Sequence, residues 1–288
     1  MCTVVCLISI FSCIKCWKIP PAFSLKLKTE KKSSLFFPGG IGTSSCPTIS
    51  QNSRERPMDC EEVLRSGRNK SGVYTIWPRN RIMEDRSIDV FCDMNTDGGG
   101  WTVIQRRGNF SRPIDYFFKT WSSYKVGFGD IEKDFWLGND NIYALTNQRL
   151  DSIRFYLKAV DGEKRYALYD LFWIEDESNK YRLHIDSYRG DAGDSMHERQ
   201  NHQYFSTKDQ DNDNTTESCA LKYKGGWWYG KCHQSNLNGI YRRGVFEGAA
   251  DGFSWYTFKG QNEELDTTEM KIRSKNFRKT LMSMDTPM

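Results

Sequence analysis

The chain has 288 residues, 38% of them apolar, with 9 Trp, 14 Tyr and 17 Phe, an aromatic stock able to fill a core and line a cleft. Its net charge of +4 belongs to the ends: residues 1–57 hold eight Lys/Arg against two Asp/Glu, and the stretch from Lys275 onward three against one. Residues 58–274 therefore carry 30 basic against 34 acidic side chains, which excludes the concentrated basic face of a nucleic-acid binder. The length allows one large domain or two small ones.

Residues 2–14 (CTVVCLISIFSCI) are uncharged and mostly apolar and stop at Lys15. That run is too short for a transmembrane segment but fits the apolar region of a signal peptide, so a secreted, extracellular protein is expected. Residues 17–57 are rich in Pro, Ser, Gly and Lys without an apolar period. Residues 1–57 are read together as a leader and linker. Cys46 is an odd thiol there, and it could bridge two chains.

From Met58 the texture changes. In DCEEVLRSG a short helix is expected, capped by Asp59, packed through Val63 and Leu64 and ended by Gly67. GVYTIWP and SIDVFCDM are β-rich runs bounded by Gly, Pro and Asp, and DGGG opens into the alternating strand WTVIQRR. IEKDFWLGNDNIYALTNQ combines acidic caps with helical spacing, whereas LDSIRFYLKAV, YALYDLFWIED and YRLHIDSYRG read as three more strands. Residues 191–262 are dominated by Gly, Asp, Asn, Tyr and Trp with little periodicity, and residues 275–288 form a tail. A loop-rich stretch that long in a compact protein usually carries function, and its aromatics argue against disorder.

Chemistry is therefore sought between 191 and 262. KDQDNDNTTESC places Asp209, Asp211 and Asp213 at alternate positions, where carboxylates and intervening carbonyls could converge on a calcium ion. A solvated acidic loop is the alternative, and the EF-hand is excluded. Counted from Asp209, position six is Asn214 instead of Gly and position twelve is Ala220 instead of Glu. In KYKGGWWYGKCH, Trp227 and Trp228 could stack on a sugar or fill the core, and core filling is the preferred reading. His233 could donate a hydrogen bond to a ligand or be structural.

Enzyme motifs are missing. His197-Glu198 is followed by His202 five residues on, which turns a helix by about 500° and puts the two rings on different faces. There is no G-x-S-x-G elbow, and the glycines at 98–100 lack the Lys-Ser/Thr of a phosphate loop, so no enzymatic activity is expected. Of nine cysteines, Cys60, Cys92, Cys219 and Cys232 lie in the body without the paired spacing of a zinc site. Two disulfides in an oxidising compartment fit better. Sequons at Asn69, Asn109 and Asn214 are candidate glycosylation sites.

DC at 59–60, GVYTI at 72–76, FCDM at 91–94, GGGWTVIQRR at 98–107, FSTKDQDND at 205–213, GGWWYGKCHQSNLNGIY at 225–241 and MKIRS at 270–274 together resemble the fibrinogen C-terminal domain family. The resemblance runs from Met58 to Ser274 and is similar in character to the family's ficolin and tachylectin-type invertebrate lectins. It implies an α+β fold: a central antiparallel sheet flanked by helices, with a loop-rich calcium-binding subdomain. The implied parts are an N-terminal subdomain (58–100), the central sheet (101–190 plus 263–274) and a calcium and ligand subdomain (191–262). It also implies disulfides Cys60–Cys92 and Cys219–Cys232. For Ca2+ it implies side-chain ligation by Asp211 and Asp213 and carbonyls from Thr215 and Glu217, with Asp209 a neighbour only.

The same resemblance places a ligand pocket beside the ion. Its floor would be a cis Lys231–Cys232 peptide, its walls Tyr223 and His233, with Ala249 and Ala250 at the edge. Acetyl-binding members resemble Tyr-Ala-Asp-Gly where this chain has Ala249-Ala250-Asp251-Gly252, so one aromatic wall is lost unless Phe246 fills it. The expected function is a calcium-dependent, lectin-like recognition of glycans, especially N-acetylated ones on microbial or cell surfaces, in innate immunity. Weak single sites would be reinforced in a homo-oligomer. The alternative is a protein-binding ligand or regulator of the angiopoietin or fibrinogen-chain kind. Those members carry coiled coils ahead of the domain, and no heptads appear here.

Overall fold

The computed structural model describes residues 56–245 and 250–277. The leader, Cys46, Phe246, Ala249 and most of the expected tail lie outside these residues. Within them the chain opens as its caps dictate. Helix α1 (Cys60–Arg65) starts where the Asp59 carboxylate accepts the Glu62 amide at 3.0 Å, and it ends at Ser66 before Gly67, whose φ of +88° suits glycine.

The β-rich runs become strands of one mainly antiparallel sheet. Strands β1 (Gly72–Ile76), β2 (Ile88–Asp93) and β3 (Trp101–Arg107) form a meander on one side. Strands β6 (Asp151–Ala159), β7 (Lys164–Ile174) and β8 (Leu183–Gly190) form another on the far side. The last strand, β10 (Glu263–Ser274), enters between them, giving the order β1-β2-β3-β10-β6-β7-β8. In register, Met270 lies beside Gln105 on one side and Phe155 on the other. Short strands β4 (Phe128–Gly129) and β5 (Phe135–Trp136) extend β3, and β9 (Gly244–Val245) pairs with β10.

The stretch expected to be helical from 131 to 148 is divided. Phe135 and Trp136 pair with Gln105 and Arg106 of β3, so helix α3 (Asn139–Thr146) begins only after Gly138. Gly138 has φ +104°, and a Cβ there would meet the Val126 backbone at 2.7 Å. A close approach and a left-handed backbone thus override helical spacing. Helix α2 (Trp121–Val126) is capped by Thr120, and the Trp121 amide donates to Asp209 Oδ1 at 2.8 Å.

Over this sheet lies the aromatic core. Tyr124, Trp136, Phe205 and Trp228 are fully or almost fully buried and meet at ring-centroid distances of 5.1–6.1 Å. Such pairs contribute roughly 0.5–1.5 kcal/mol each beyond their buried area. They pack the loop-rich stretch against the sheet, although its described residues contain only helices α4 (Cys219–Lys222) and α5 (Tyr256–Lys259) and strand β9 as regular elements. The disulfides Cys60–Cys92 and Cys219–Cys232 are both present, with Cα atoms 5.4 and 5.5 Å apart. Among the described residues no helix is long and apolar enough to cross a membrane.

Candidate functional site

Polar side chains on β3 hold the loop-rich lobe in place. All seven residues of β3 are buried, and the polar ones need partners. Gln105 Nε2 donates to the Leu237 carbonyl at 3.1 Å and to Asn238 Oδ1 at 3.0 Å. Arg107 donates to the Leu237 and Gly239 carbonyls at 3.2 and 2.5 Å, with its guanidinium between the rings of Phe117 and Phe253. Burial pushes the Arg107 group down to about 10, which still leaves it charged at neutral pH. The loop so fixed passes the constraint on: Asn238 Nδ2 donates to Gly226 O at 2.8 Å, Asn236 Nδ2 to Tyr223 O at 2.9 Å, and Tyr229 Oη to Asn236 Oδ1 at 2.7 Å.

Tyr223, inside the segment closed by the Cys219–Cys232 bridge, and His233, just after it, therefore stand at fixed positions. Their rings meet edge to face, with centroids 4.5 Å apart and planes at 90°. Together with Lys231, Cys232, Arg199, Gln234, Tyr256 and Gln261 they line a cavity of about 400 Å³. Of the residues expected at the pocket from the sequence, Tyr223, Lys231, Cys232 and His233 line this cavity and Ala250 is not among its lining. The sequence reading did not single out Arg199, Gln234, Tyr256 and Gln261: Gln234 only follows His233 in the chain, and Arg199, Tyr256 in α5 and Gln261 just beyond it reach the cavity from distant segments without a shared motif.

His233 is the polar centre of the cavity. Its side chain is only 3% exposed, and neither ring nitrogen meets a hydrogen-bond partner, although the Ala250 backbone lies close. Burial holds its value down at about 4, with a smaller push from Arg199, so the ring is neutral at physiological pH. A neutral imidazole offers one donor and one acceptor. Ala250 sits at φ +57°, and Ala249 beyond it is outside the described residues.

One expectation at the pocket floor is corrected. The Lys231–Cys232 peptide is trans, like every peptide bond in the described residues. Two hydrogen bonds are satisfied by this form: the Gly230 amide donates to the Cys232 carbonyl at 3.0 Å, and Arg199 Nη1 donates to the Lys231 carbonyl at 2.8 Å. A non-proline cis bond would cost about 3–4 kcal/mol on top. Trp227 and Trp228 are both fully buried, so they belong to the core and not to the cavity wall.

The acidic loop runs into the Cys219 end of the bridge. Asp213 Oδ1 accepts from the Thr215 amide and hydroxyl at 2.9 and 3.0 Å, and its Oδ2 accepts from the Cys219 amide at 2.8 Å. Asp211 Oδ1 accepts from the Asp213 amide at 3.2 Å, and the Glu217 carbonyl accepts from the Thr215 hydroxyl at 2.5 Å. The Asp211 and Asp213 carboxyl groups face each other closely enough that partial burial, followed by the neighbouring Asp213, pushes Asp211 above the usual carboxylate range. Two acids and carbonyl oxygens make a hard-oxygen donor set of the kind calcium takes. Among the described residues no cluster of three His, Cys, Asp or Glu side chains could hold a metal, so any ion would depend on those carbonyls. Asp209 stands apart, capping α2 and accepting from the Thr207 hydroxyl at 2.8 Å.

The three sequons lie on exposed residues. Asn69 follows α1, Asn109 follows β3, and Asn214 is in the acidic loop with its Nδ2 donating to Gln203 Oε1 at 2.6 Å.

Comparison with known proteins agrees with this architecture. Residues 56–275 match the family described as fibrinogen beta and gamma chains, C-terminal globular domain. Techylectin-5A of Tachypleus tridentatus is 54% identical over 221 residues, covering 77% of this chain and 75% of the relative. Angiopoietin-related protein 7 of Mus musculus is 43% identical over 232 residues, covering 80% and 67%. Among solved structures, the fibrinogen-like globe domain of human ANGPTL2 is 41% identical with a TM-score of 0.72, covering 76% of this chain and 99% of that one. With the family match spanning nearly all the described residues, and the sheet, disulfides and aromatic core in place, the chain belongs to the fibrinogen C-terminal domain family.

Proposed function

We propose that this chain is a secreted, lectin-like recognition protein that takes acetylated glycans in the cavity beside the Cys219–Cys232 bridge. The observation that supports this reading best is His233, a buried imidazole with unpartnered nitrogens set edge to face with the Tyr223 ring. Together they offer a polar contact for an acyl oxygen and an aromatic surface for its methyl group. The techylectin relatives, at 54% and 53% identity, lean the same way. There is no catalytic step: binding is the activity, at a site that several copies would reinforce.

Calcium belongs to the proposal as a brace. Asp211 and Asp213 would hold it with their carboxylates, and Thr215 and Glu217 with their carbonyls. Bound there, the ion would offset the repulsion between the two acids and fix the start of α4, whose Cys219 amide already rests on Asp213. The Cys219–Cys232 bond would pass that order to His233.

The test is retention on N-acetylglucosamine resin with and without calcium, beside an Asp211→Ala variant. Retention that both chelation and the variant abolish supports the braced lectin. Retention indifferent to both removes calcium from the account. No retention at all favours the second reading, a protein-binding domain of angiopoietin type, for which the 43% identical angiopoietin-related protein 7 and the ANGPTL2 globe are the supporting likenesses.

A further inference from the structure

A second cavity lies where β3 runs out into residues 108–116, and it shares no lining residue with the one beside the Cys219–Cys232 bridge. It measures about 180 Å³, and its lining includes Phe110, Pro113, Ile114, Tyr116 and Tyr241. Two backbone contacts shape it. The Tyr241 amide donates to the Ile114 carbonyl at 2.9 Å, and the Phe110 amide to the Gly108 carbonyl at 3.1 Å. The second contact closes a tight turn with Asn109 at its tip, exposed and itself part of the cavity wall. A Cβ on residue 108 would meet the Phe110 ring at 3.0 Å, so Gly108 is what lets that ring fold back.

The charges around this cavity cancel. Four arginines line it, Arg107, Arg112, Arg242 and Arg243, and four carboxylates stand against them. Arg112 pairs with Asp134 at 3.0 Å, Arg242 with Asp251 and Glu264 at 2.9 and 3.0 Å, and Arg243 with Asp266 at 2.7 Å. Arg107 is engaged by the Leu237 and Gly239 carbonyls. A balanced wall of aromatic residues and hydrogen-bonding groups suits a neutral, hydroxylated occupant and offers an anion no surplus charge. The volume falls below the roughly 300–1,000 Å³ of pockets that hold a free small molecule. A tethered occupant escapes that limit, because attachment supplies an effective concentration in the millimolar range.

We propose that Asn109, in the sequon Asn109-Phe110-Ser111, is N-glycosylated and that the first N-acetylglucosamine of its glycan seats in this cavity. As sequons, Asn69, Asn109 and Asn214 are equivalent; the cavity sets Asn109 apart, since the other two line neither cavity. Asn214 Nδ2 is also engaged by Gln203 at 2.6 Å, whereas the Asn109 side chain has no hydrogen-bond partner among the described residues. This inference goes beyond the sugar-binding reading and shares only secretion with it, because the sugar donor, a lipid-linked oligosaccharide pyrophosphate, is met on the secretory route. In the transfer, Asn109 Nδ2 bonds to C1 of N-acetylglucosamine, the amide gives up one proton, and the lipid pyrophosphate leaves.

The full chain would be secreted from insect cells held to high-mannose glycans, and occupancy read by mass spectrometry of the Asn109 peptide. Asn109 should carry a glycan on most molecules, and Ser111→Ala should leave it bare. In a thermal melt the bare variant should fall about 2–4 °C below wild type, the shift expected from losing one aromatic contact in a domain of this size. Asn109→Gln, a second route to the bare chain, should reproduce that fall if Ser111→Ala disturbs folding. Wild type trimmed by endoglycosidase H, which leaves the first N-acetylglucosamine, should melt with the intact glycoprotein.

A bare Asn109 on the secreted chain overturns the proposal and leaves the lectin reading standing. A trimmed protein that melts with the bare variants, or bare variants that melt with wild type, overturns the seated sugar. A chain retained in the cell overturns secretion for both readings. Failure of the occupied protein to hold N-acetylglucosamine resin counts against the lectin reading alone.

Discussion

Acidification offers a direct test of the buried, neutral His233. The unfolded chain protonates this ring near 6.5, whereas the folded chain resists down to about 4. Between those values the unfolded state binds the extra proton, so stability is complete above pH 6.5 and is lost as the pH falls. At ~1.4 kcal/mol per tenfold, the loss from this group alone is about 2 kcal/mol by pH 5 and about 3 kcal/mol by pH 4. Urea unfolding at pH 7.5 and pH 5.0 would measure it, with His233→Gln as the reference. Carboxylates titrate alike in both proteins, so the difference between the two pH dependences isolates the imidazole. Parallel losses in wild type and variant would refute the claim that this ring is held neutral by burial. Ligand release should follow the same curve in wild type, because the charged ring would draw solvent into the cavity.

Other consequences can be checked alongside. Replacing Cys219 and Cys232 together with serine opens a loop closed across a separation of 13 residues and should cost about 3 kcal/mol in a denaturant melt, together with sugar retention. Trp228→Ala removes a fully buried indole that also donates to the Tyr181 carbonyl at 2.8 Å, and it should cost about 3–5 kcal/mol. On the proposed calcium brace, the ion at a hundred times its Kd should stabilise the wild type by about 2.7 kcal/mol in a thermal melt, and Asp213→Asn should abolish that gain. Asp151, buried with Asp59 and Glu61 around the single guanidinium of Arg149, is pushed up to about 8 by burial and its acidic neighbours. The folded state keeps that proton while the unfolded one loses it near 3.8, so this contribution disappears as the pH rises toward 8. Asp151→Asn should therefore flatten the fall in stability between about pH 4 and pH 8 measured by thermal melts.

Local patterns carried the secondary structure well where they answered only to themselves. Asp59 and Gly67 bracket α1, and the alternating runs became β1, β2, β3 and β6 nearly at their expected limits. They failed at 131–148, where pairing of Phe135 and Trp136 with β3, a contact across almost thirty residues, outweighed helical spacing. At the site, the residues legible from the resemblance were those in one string, Tyr223 to His233. Arg199 and Gln261 were not, because what makes them part of the cavity is Arg199's bond to the Lys231 carbonyl and Gln261's bond to the His233 carbonyl at 3.3 Å. Asp209 shows the same limit from the other side. It shares the alternating acidic pattern, yet its work is to cap a helix 88 residues earlier in the chain.

Strand β10 has a consequence for how the protein is made. It alone joins the β1–β3 meander to the β6–β8 meander, and it is the last strand to leave the ribosome. Until Glu263 and the residues after it emerge, β3 and β6 each present an unpaired edge, backed by apolar faces that include Val103 and Phe155. The Cys60–Cys92 bond can close early, since both cysteines lie in the first half. The two half-sheets, however, must be shielded throughout synthesis of the loop-rich lobe. A nascent chain stalled before residue 263 thus leaves two unpaired strand edges open to chaperones or to pairing with its own kind.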